Sequence, residues 1–257
     1  MVLYNLLMFA KPAKRSRNIY NPASNEPFKL SRSKIELFIE CPRCFYVDRR
    51  LGVGRPEGLP FTLNKAVDAL MKKEFDIHRA KNQAHPLMKK YNIDAVPFSH
   101  KNMGKWRENF VGVQYLHEST NFIITGAVDD IWINRQKELL VVDYKATSTT
   151  REITLDEEYR QGYKRQMEIY QWLLRQNDFL VSNTGYFVYV NGKADKESFD
   201  GKLEFDVQIL SYEGNDNWVE KTIIEAHKCL NSEKNPQASA NCKYCSYAKA
   251  REEAKAI

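Results

Sequence analysis

Asp129, Asp143 and Lys145 are the residues whose types and spacing could do chemistry together. Asp143 and Lys145 close the apolar run Leu139-Leu140-Val141-Val142, which reads as a strand buried on both faces. Side chains alternate along a strand, so Asp143 and Lys145 share one face and Tyr144 points to the other. Asp129 belongs to the run "FIITGAVDDIWI" at 122–133, and the short link "NRQK" makes a hairpin with 138–145. A turn centred near 135–136 sets residue 129 against residue 142 or so, which brings two carboxylates to one spot. Two carboxylates held close resist ionising together. A divalent cation such as Mg²⁺ resolves that conflict and leaves coordination positions for water and phosphate oxygens. A lysine beside such water orients or deprotonates it, or stabilises negative charge building on phosphorus. Asp129, Asp143 and Lys145 thus form a minimal set for metal-assisted phosphodiester hydrolysis. Asp130, next along, points to the opposite face of a regular strand and is the second choice.

The pattern D-x-K is weak alone, since a chain of ordinary composition holds roughly one by chance. A second copy, Asp200-Gly201-Lys202, supplies the control. It has a glycine at its centre and no apolar strand ahead of it, so it reads as a surface turn. Context separates the two copies.

Four of the five cysteines form two C-x₂-C pairs, Cys41 with Cys44 and Cys242 with Cys245. Four thiolates suit a tetrahedral Zn²⁺ or an iron–sulfur cluster. An odd cysteine count argues against a closed disulfide framework.

The elements that must position these residues follow from periodicity. Ser33 with Glu36 is a capping box for a helix running toward Asp48. A helix over Leu63–Arg79 carries the apolar stripe Ala66, Val67, Leu70, Met71 and Phe75, and a weaker one covers Lys101–Phe110. Strands at 111–117, 122–133 and 138–145 form a meander. A strong helix over Glu157–Gln176 places Tyr163, Gln166, Met167, Tyr170 and Leu174 on one face. Strands at 185–190 and 203–210, a helix at 216–230 and a short cysteine-bearing tail complete the order. The fold class is α/β, a mixed central sheet flanked by helices. Glycines 52, 54 and 58 lack a preceding strand and read as a turn-rich loop, not a phosphate cradle. His78 reads as exposed and the other four histidines as loop or packing residues.

The 257 residues carry a formal charge of +6, with 43% hydrophobic residues, compatible with a polyanionic partner. No apolar run reaches the length of a membrane span, and "MVLYNLLMFA" lacks the charged start of a signal peptide. A cytoplasmic location with no membrane partner is the default.

Three ordered motifs carry a resemblance. Gly126 and Asp129, then Asp143-Tyr144-Lys145, then Gln166 with Tyr170 resemble the G-x-hydrophobic-D, hydrophobic-D-Y-K and Q-x-x-x-Y motifs of the PD-(D/E)XK nuclease superfamily. The similar branch is that of RecB-type nuclease domains and related CRISPR-associated exonucleases. The resemblance implies a restriction-endonuclease-like core and a DNA nuclease acting in repair, recombination or defence. It implies that Asp129 and Asp143, with the Tyr144 carbonyl, ligate Mg²⁺ or Mn²⁺, and that Lys145 is the catalytic lysine. Gln166 and Tyr170 would contact DNA or position that lysine. Asp68 stands where the family usually has a histidine ligand. Arg43, Arg49, Arg50, Arg55, Lys164 and Arg165 would meet phosphates. The same branch includes members with a [4Fe–4S] cluster held by one early and three late cysteines, and Cys41-Pro42-Arg43 matches the early context. The third late position is Arg251 here, so Cys44 or Cys229 would complete the set. Zn²⁺ or an empty site are the alternatives. Such a site would staple 31–50 to 229–257 as an appendage of a nuclease-like domain at 31–257, behind an irregular basic arm at 1–30. The DNA partner would be single-stranded or have free ends; neither a helicase nor a CRISPR partner is assigned.

Overall fold

A computed structural model describes residues 14–56, 58 and 62–254. The opening run "MVLYNLLMFA", the first part of the basic arm at 1–30 and part of the glycine-bearing loop at 52–60 therefore lie outside the described residues. In chain order the elements are β1 (Phe28–Ser31), α1 (Arg32–Glu40), α2 (Pro42–Arg49), α3 (Thr62–Ala80), α4 (Pro86–Lys90), β2 (Ala95–Pro97), α5 (Met103–Trp106), β3 (Val113–His117), β4 (Phe122–Gly126), β5 (Asp130–Asn134), β6 (Leu139–Thr147), α6 (Gln161–Arg175), β7 (Thr184–Gly192), β8 (Phe205–Glu213), α7 (Val219–Asn231) and α8 (Lys243–Glu253).

The strands form two mixed sheets where one was expected. One has the order β1-β4-β3 and the other β2-β5-β6-β7-β8. β1 runs parallel to β4, and β6 runs parallel to β7; the remaining pairs are antiparallel. The division falls inside "FIITGAVDDIWI", which is two strands and not one. The Val128 N–H turns to the Trp106 carbonyl at 3.1 Å and leaves the β4 ladder. The chain passes through residues 127–129 from one sheet to the other.

The apolar half of β6 explains its central place. Leu139 and Val141 join a core with α6, including Met167, Tyr170, Leu173 and Leu174. Leu140, Val142 and Tyr144 join a second core on the opposite face with Met71 and Phe75 of α3 and Trp132 of β5. A strand covered on both faces reads as continuous hydrophobic sequence. Each fully buried aliphatic side chain contributes about 1.5–3 kcal/mol relative to exposure. The alternation also delivers Asp143 to the α6 face and Tyr144 to the α3 face.

Local expectations fail where a tertiary contact wins. Glu36 does not close a capping box, because its carboxylate takes a two-pronged pair with Arg165 of α6 at 2.6 and 2.9 Å. The helix begins at Arg32 and stops at Cys41, and Pro42 starts α2 afresh. The stripe on α3 is half used: Met71 and Phe75 are buried, whereas Leu70 is exposed. α5 is only Met103–Trp106, shorter than the helix expected at Lys101–Phe110. β1, α4 and β2 lack sequence periodicity long enough to announce them.

Gly126 ends β4 beneath α6. A Cβ there would lie 2.6 Å from Tyr170 Cε1 and 2.9 Å from Leu173 Cδ1. This close approach requires glycine, and it sets how near α6 comes to the junction between the sheets. Gly126→Val should therefore cost about 1–3 kcal/mol through overpacking, read as a lowered midpoint in urea unfolding. An unchanged midpoint would show that α6 packs elsewhere.

Candidate active site

The last turn of sheet before the helices is where β6 exchanges apolar for charged residues. Asp143 is buried, on the face toward α6. Its Oδ1 accepts a hydrogen bond from Gln166 Nε2 at 2.7 Å, and Gln166 Nε2 also reaches the Tyr170 hydroxyl at 3.1 Å. Its Oδ2 is buried, accepts no directed hydrogen bond, and is met by the Lys145 ammonium as an ion pair. Burial raises the Asp143 carboxyl, Lys145 pulls it back and Asp129 raises it again, leaving it at about 6. Burial would lower the Lys145 ammonium, but Asp143 and Asp129 outweigh that and raise it, so Lys145 is a cation at neutral pH. Its Nζ also lies 4.4 Å from the centre of the Tyr163 ring.

Asp129 occupies the gap between the sheets. The register pairs Asp130 with Val142, one residue from the expected offset, and this sets Asp129 beside Asp143. Asp129 Oδ2 accepts the Tyr144 N–H at 2.9 Å, and Oδ1 accepts from Lys72 Nζ at 3.2 Å. Lys72 bridges onward to the Asp68 carboxylate at 2.8 Å. Burial raises the Asp68 carboxyl; Lys72 opposes this and Asp129 adds to it. The site is thus two acid–base pairs side by side, Asp143 with Lys145 and Asp129 with Lys72, with Asp68 on the helix opposite.

Asp130, the second choice, is a structural residue. Its buried carboxylate accepts from Arg107 Nη2 at 3.0 Å, the Tyr144 hydroxyl at 2.8 Å and its neighbour Ile131 N–H at 2.8 Å, and it pairs with Arg79. Both oxygens are engaged, Oδ1 by both arginines and the Ile131 N–H, Oδ2 by Tyr144. Arg107 also donates from Nε to the Asp129 carbonyl at 3.0 Å, which pins the backbone of the exposed acid. Two adjacent aspartates therefore divide the work, one held as a scaffold and one presented to a cleft.

That cleft has a volume of about 400 Å³ and is lined by Asn64, Lys65, Val67, Asp68, Asp129, Tyr144, Lys145, Ala146, Tyr163 and Val190. Gln166 and Tyr170 do not reach it. Both are buried, and Gln166 orients Asp143 where the motif suggested contact with DNA or with Lys145.

At the far side, Cys41, Cys44, Cys242 and Cys245 converge, with all four sulfurs within 4.8 Å of one another. Cys229 stays apart, its Sγ 4.0 Å from the Pro42 carbonyl. Cys44 is thus the fourth member of the group.

A model of the PD-(D/E)XK nuclease superfamily matches residues 29–250. The chain belongs to that superfamily. No curated protein matches the sequence. A solved structure titled "Crystal structure of SSO0001" is similar at 14% identity with a TM-score of 0.40, covering 86% of this chain and 84% of that one.

A PD-(D/E)XK protein implies a divalent metal, and the donor set here fits one. Asp129 and Asp143 are hard oxygen ligands, Asp143 Oδ2 has an unused lone-pair direction, and Asp68 stands across the cleft. No histidine joins a metal-type cluster among the described residues. His85 caps α4, its Nδ1 accepting the Leu87 N–H at 3.1 Å, and His117 lies between Thr120 and Glu220. His78 is half-buried, less exposed than expected. Asp200-Gly201-Lys202 forms an exposed turn with Asp200 and Gly201 at φ 41° and 67°, as its context indicated.

Most of the arginines expected to meet phosphate are engaged inside the protein. Arg49 is buried against Asp48, Arg50 bonds the Tyr20 carbonyl, Arg43 bonds the Pro236 carbonyl and Arg165 holds Glu36. Arg55 pairs with Glu40 and leans on the Tyr244 ring. Lys164 lies 5.6 Å from the Tyr212 ring centre. Lys72, Arg79 and Arg107 were missed by sequence reasoning. Lys72 carried a usable signal, standing four residues after Asp68 on one helical face; Arg107 carried none.

Divalent metal should raise the melting temperature of the protein near pH 7.5 through binding to the folded state alone. Asp143 holds its proton below about pH 6, so the shift should shrink as pH falls through that value. Asp129→Ala should abolish the metal shift with little loss of metal-free stability. Asp130→Ala should lose about 3–5 kcal/mol, because Arg79 and Arg107 lose their buried partner and keep only the half-exposed Asp76. The reverse outcome for the two variants would exchange their roles.

Proposed function

We propose that the protein is a divalent-metal-dependent deoxyribonuclease of RecB-like type, hydrolysing phosphodiester bonds in DNA repair, recombination or defence. The observation that carries the reading is that Asp129 and Lys145 line one cleft, with the buried Asp143 directly behind it, paired to Lys145 and oriented by Gln166. Asp129 and Asp143, with the Tyr144 carbonyl and Asp68 assisting, would hold Mg²⁺ or Mn²⁺, which would supply Lewis-acid polarisation of the phosphoryl oxygens and a more acidic water.

The protein's own side chains do the rest. Lys145, held as a cation by Asp143 and Asp129, is placed to stabilise the anionic, five-coordinate phosphorus and to orient the attacking water. Water adds to phosphorus and gives a proton to solvent, one P–O ester bond breaks, and the leaving oxygen takes up a proton from solvent. Gln166 keeps the Asp143 carboxylate aimed while Tyr170 backs Gln166. Lys65 and Asn64 at the rim suit a phosphate of the same strand. DNA enters as a single strand or at a free end.

A second reading, a nucleic-acid-binding or assembly module with weak chemistry, draws on Lys72. It stands between Asp68 and Asp129, and no histidine completes the set. Cleavage of labelled single- and double-stranded DNA and of RNA, each with Mg²⁺ or Mn²⁺, decides between them. Asp143→Ala and Lys145→Ala should each reduce cleavage by at least a thousandfold, on the order of 4 kcal/mol of transition-state stabilisation. Binding of DNA without any cleavage by the unaltered protein would favour the second reading, and undiminished cleavage by either variant would sink the first.

A further inference from the structure

The four-cysteine group permits a choice of metal on geometry alone, independently of the nuclease reading. The sulfurs lie 3.8 Å apart for Cys41 and Cys245, 3.5 Å for Cys44 and Cys242, and 3.6 Å for Cys44 and Cys245. A tetrahedral ion with metal–sulfur bonds of about 2.3 Å sets its ligands about 3.8 Å apart. An iron–sulfur cube gives each thiolate its own iron at a separate corner, which spreads the sulfurs well beyond that. The donor set here is drawn in too tightly for a cluster.

The sequence context agrees. The ligands come as two equal pairs, each at the start of a helix. Cys41 precedes Pro42 and Cys44 lies in the first turn of α2; Cys242 precedes Lys243 and Cys245 lies in the first turn of α8. Helix N-termini and their N–H groups favour thiolate. The Arg55 guanidinium, 3.8 Å from Cys242 Sγ, offsets the surplus charge of four thiolates. Position 251, where a third late cysteine would stand, is an exposed arginine.

The site also has a mechanical role. α8 has no buried residue. The hydrogen bonds and ring contacts tying it to the rest of the described chain run through the sulfurs and through Arg55, whose guanidinium lies 4.5 Å from the Tyr244 ring centre. No apolar face would keep α8 docked once the sulfurs let go.

We infer that Cys41, Cys44, Cys242 and Cys245 bind a single structural Zn²⁺ in place of an iron–sulfur cluster, and that this ion alone fastens α8 to α2. The test is metal and acid-labile sulfide analysis of the full chain purified both aerobically and without oxygen, from medium containing both metals. The expected result is one zinc per chain, no sulfide, a colourless protein, and tetrahedral thiolate absorption after exchange for Co²⁺. Four irons with matching sulfide in the oxygen-free preparation would overturn the choice of metal. So would protein that remains metal-free after incubation with Zn²⁺. For the mechanical half, hydrogen exchange is followed before and after chelation and in the Cys242→Ser, Cys245→Ser double variant. Protection should be lost across residues 239–254 while β6 and α6 keep theirs. Retained protection in α8 would refute the fastening, and loss throughout β6 and α6 would refute its being local.

Discussion

A buried carboxylate at the end of a central strand is the constraint around which the molecule is arranged. Taking one ion out of water costs several kcal/mol unless opposite charge and hydrogen bonds replace the solvent. Asp143 meets this with the Lys145 ammonium on one oxygen and the Gln166 amide on the other. Those two partners fix much else. Lys145 must share the strand face, so β6 must be regular through its charged end. Gln166 must arrive from a helix lying across that face, and α6 lies there because Gly126 lets Tyr170 come close. Burial and neighbouring charge leave Asp143 with an oxygen that prefers a cation. Stability and chemistry are opposed at this residue, which is the ordinary condition of a pre-organised site.

Around this centre the charges fall into two tiers. One, Asp68, Lys72 and Asp129, is half-buried, and its two acids line the cleft. The other, Arg79, Arg107 and the buried Asp130 with the Tyr144 hydroxyl, is capped toward solvent by the half-exposed Asp76. Arg107 belongs to both through the Asp129 carbonyl. A buried network of this kind holds one geometry when every member is satisfied, and here the geometry held is that of residues 129–130.

Much of this was legible in the sequence where period and motif agreed. The run Leu139–Val142 marked a strand covered on both faces. Tyr163, Gln166, Met167, Tyr170 and Leu174 marked the helix above it, and the paired C-x₂-C spacings marked a shared site. The illegible parts are those fixed by contacts between distant segments. "FIITGAVDDIWI" alternates well enough for one strand, and only the Val128 N–H, drawn to Trp106, breaks it. Asp129 and Asp130 differ by one position, and nothing local says which is the inner one; Arg79 and Arg107 decide it. Of the basic residues counted toward nucleic acid, Arg49, Arg165 and Arg55 also have acidic partners in Asp48, Glu36 and Glu40, because charge in a sequence carries no record of its partner.

The crossing at residues 127–129 has one more consequence. Asp143 rides on the five-stranded sheet, and Asp129 sits at the joint leading in from the three-stranded one. The spacing between the two acids is set where that joint enters the larger sheet, by the Tyr144 N–H on Asp129 and the pairing of Asp130 with Val142. The core shared by both sheets, with Ile124 of β4 and Val141 of β6, and the Tyr144 N–H on Asp129 resist any rotation at that joint, so the packing that holds the sheets together also holds the acids apart.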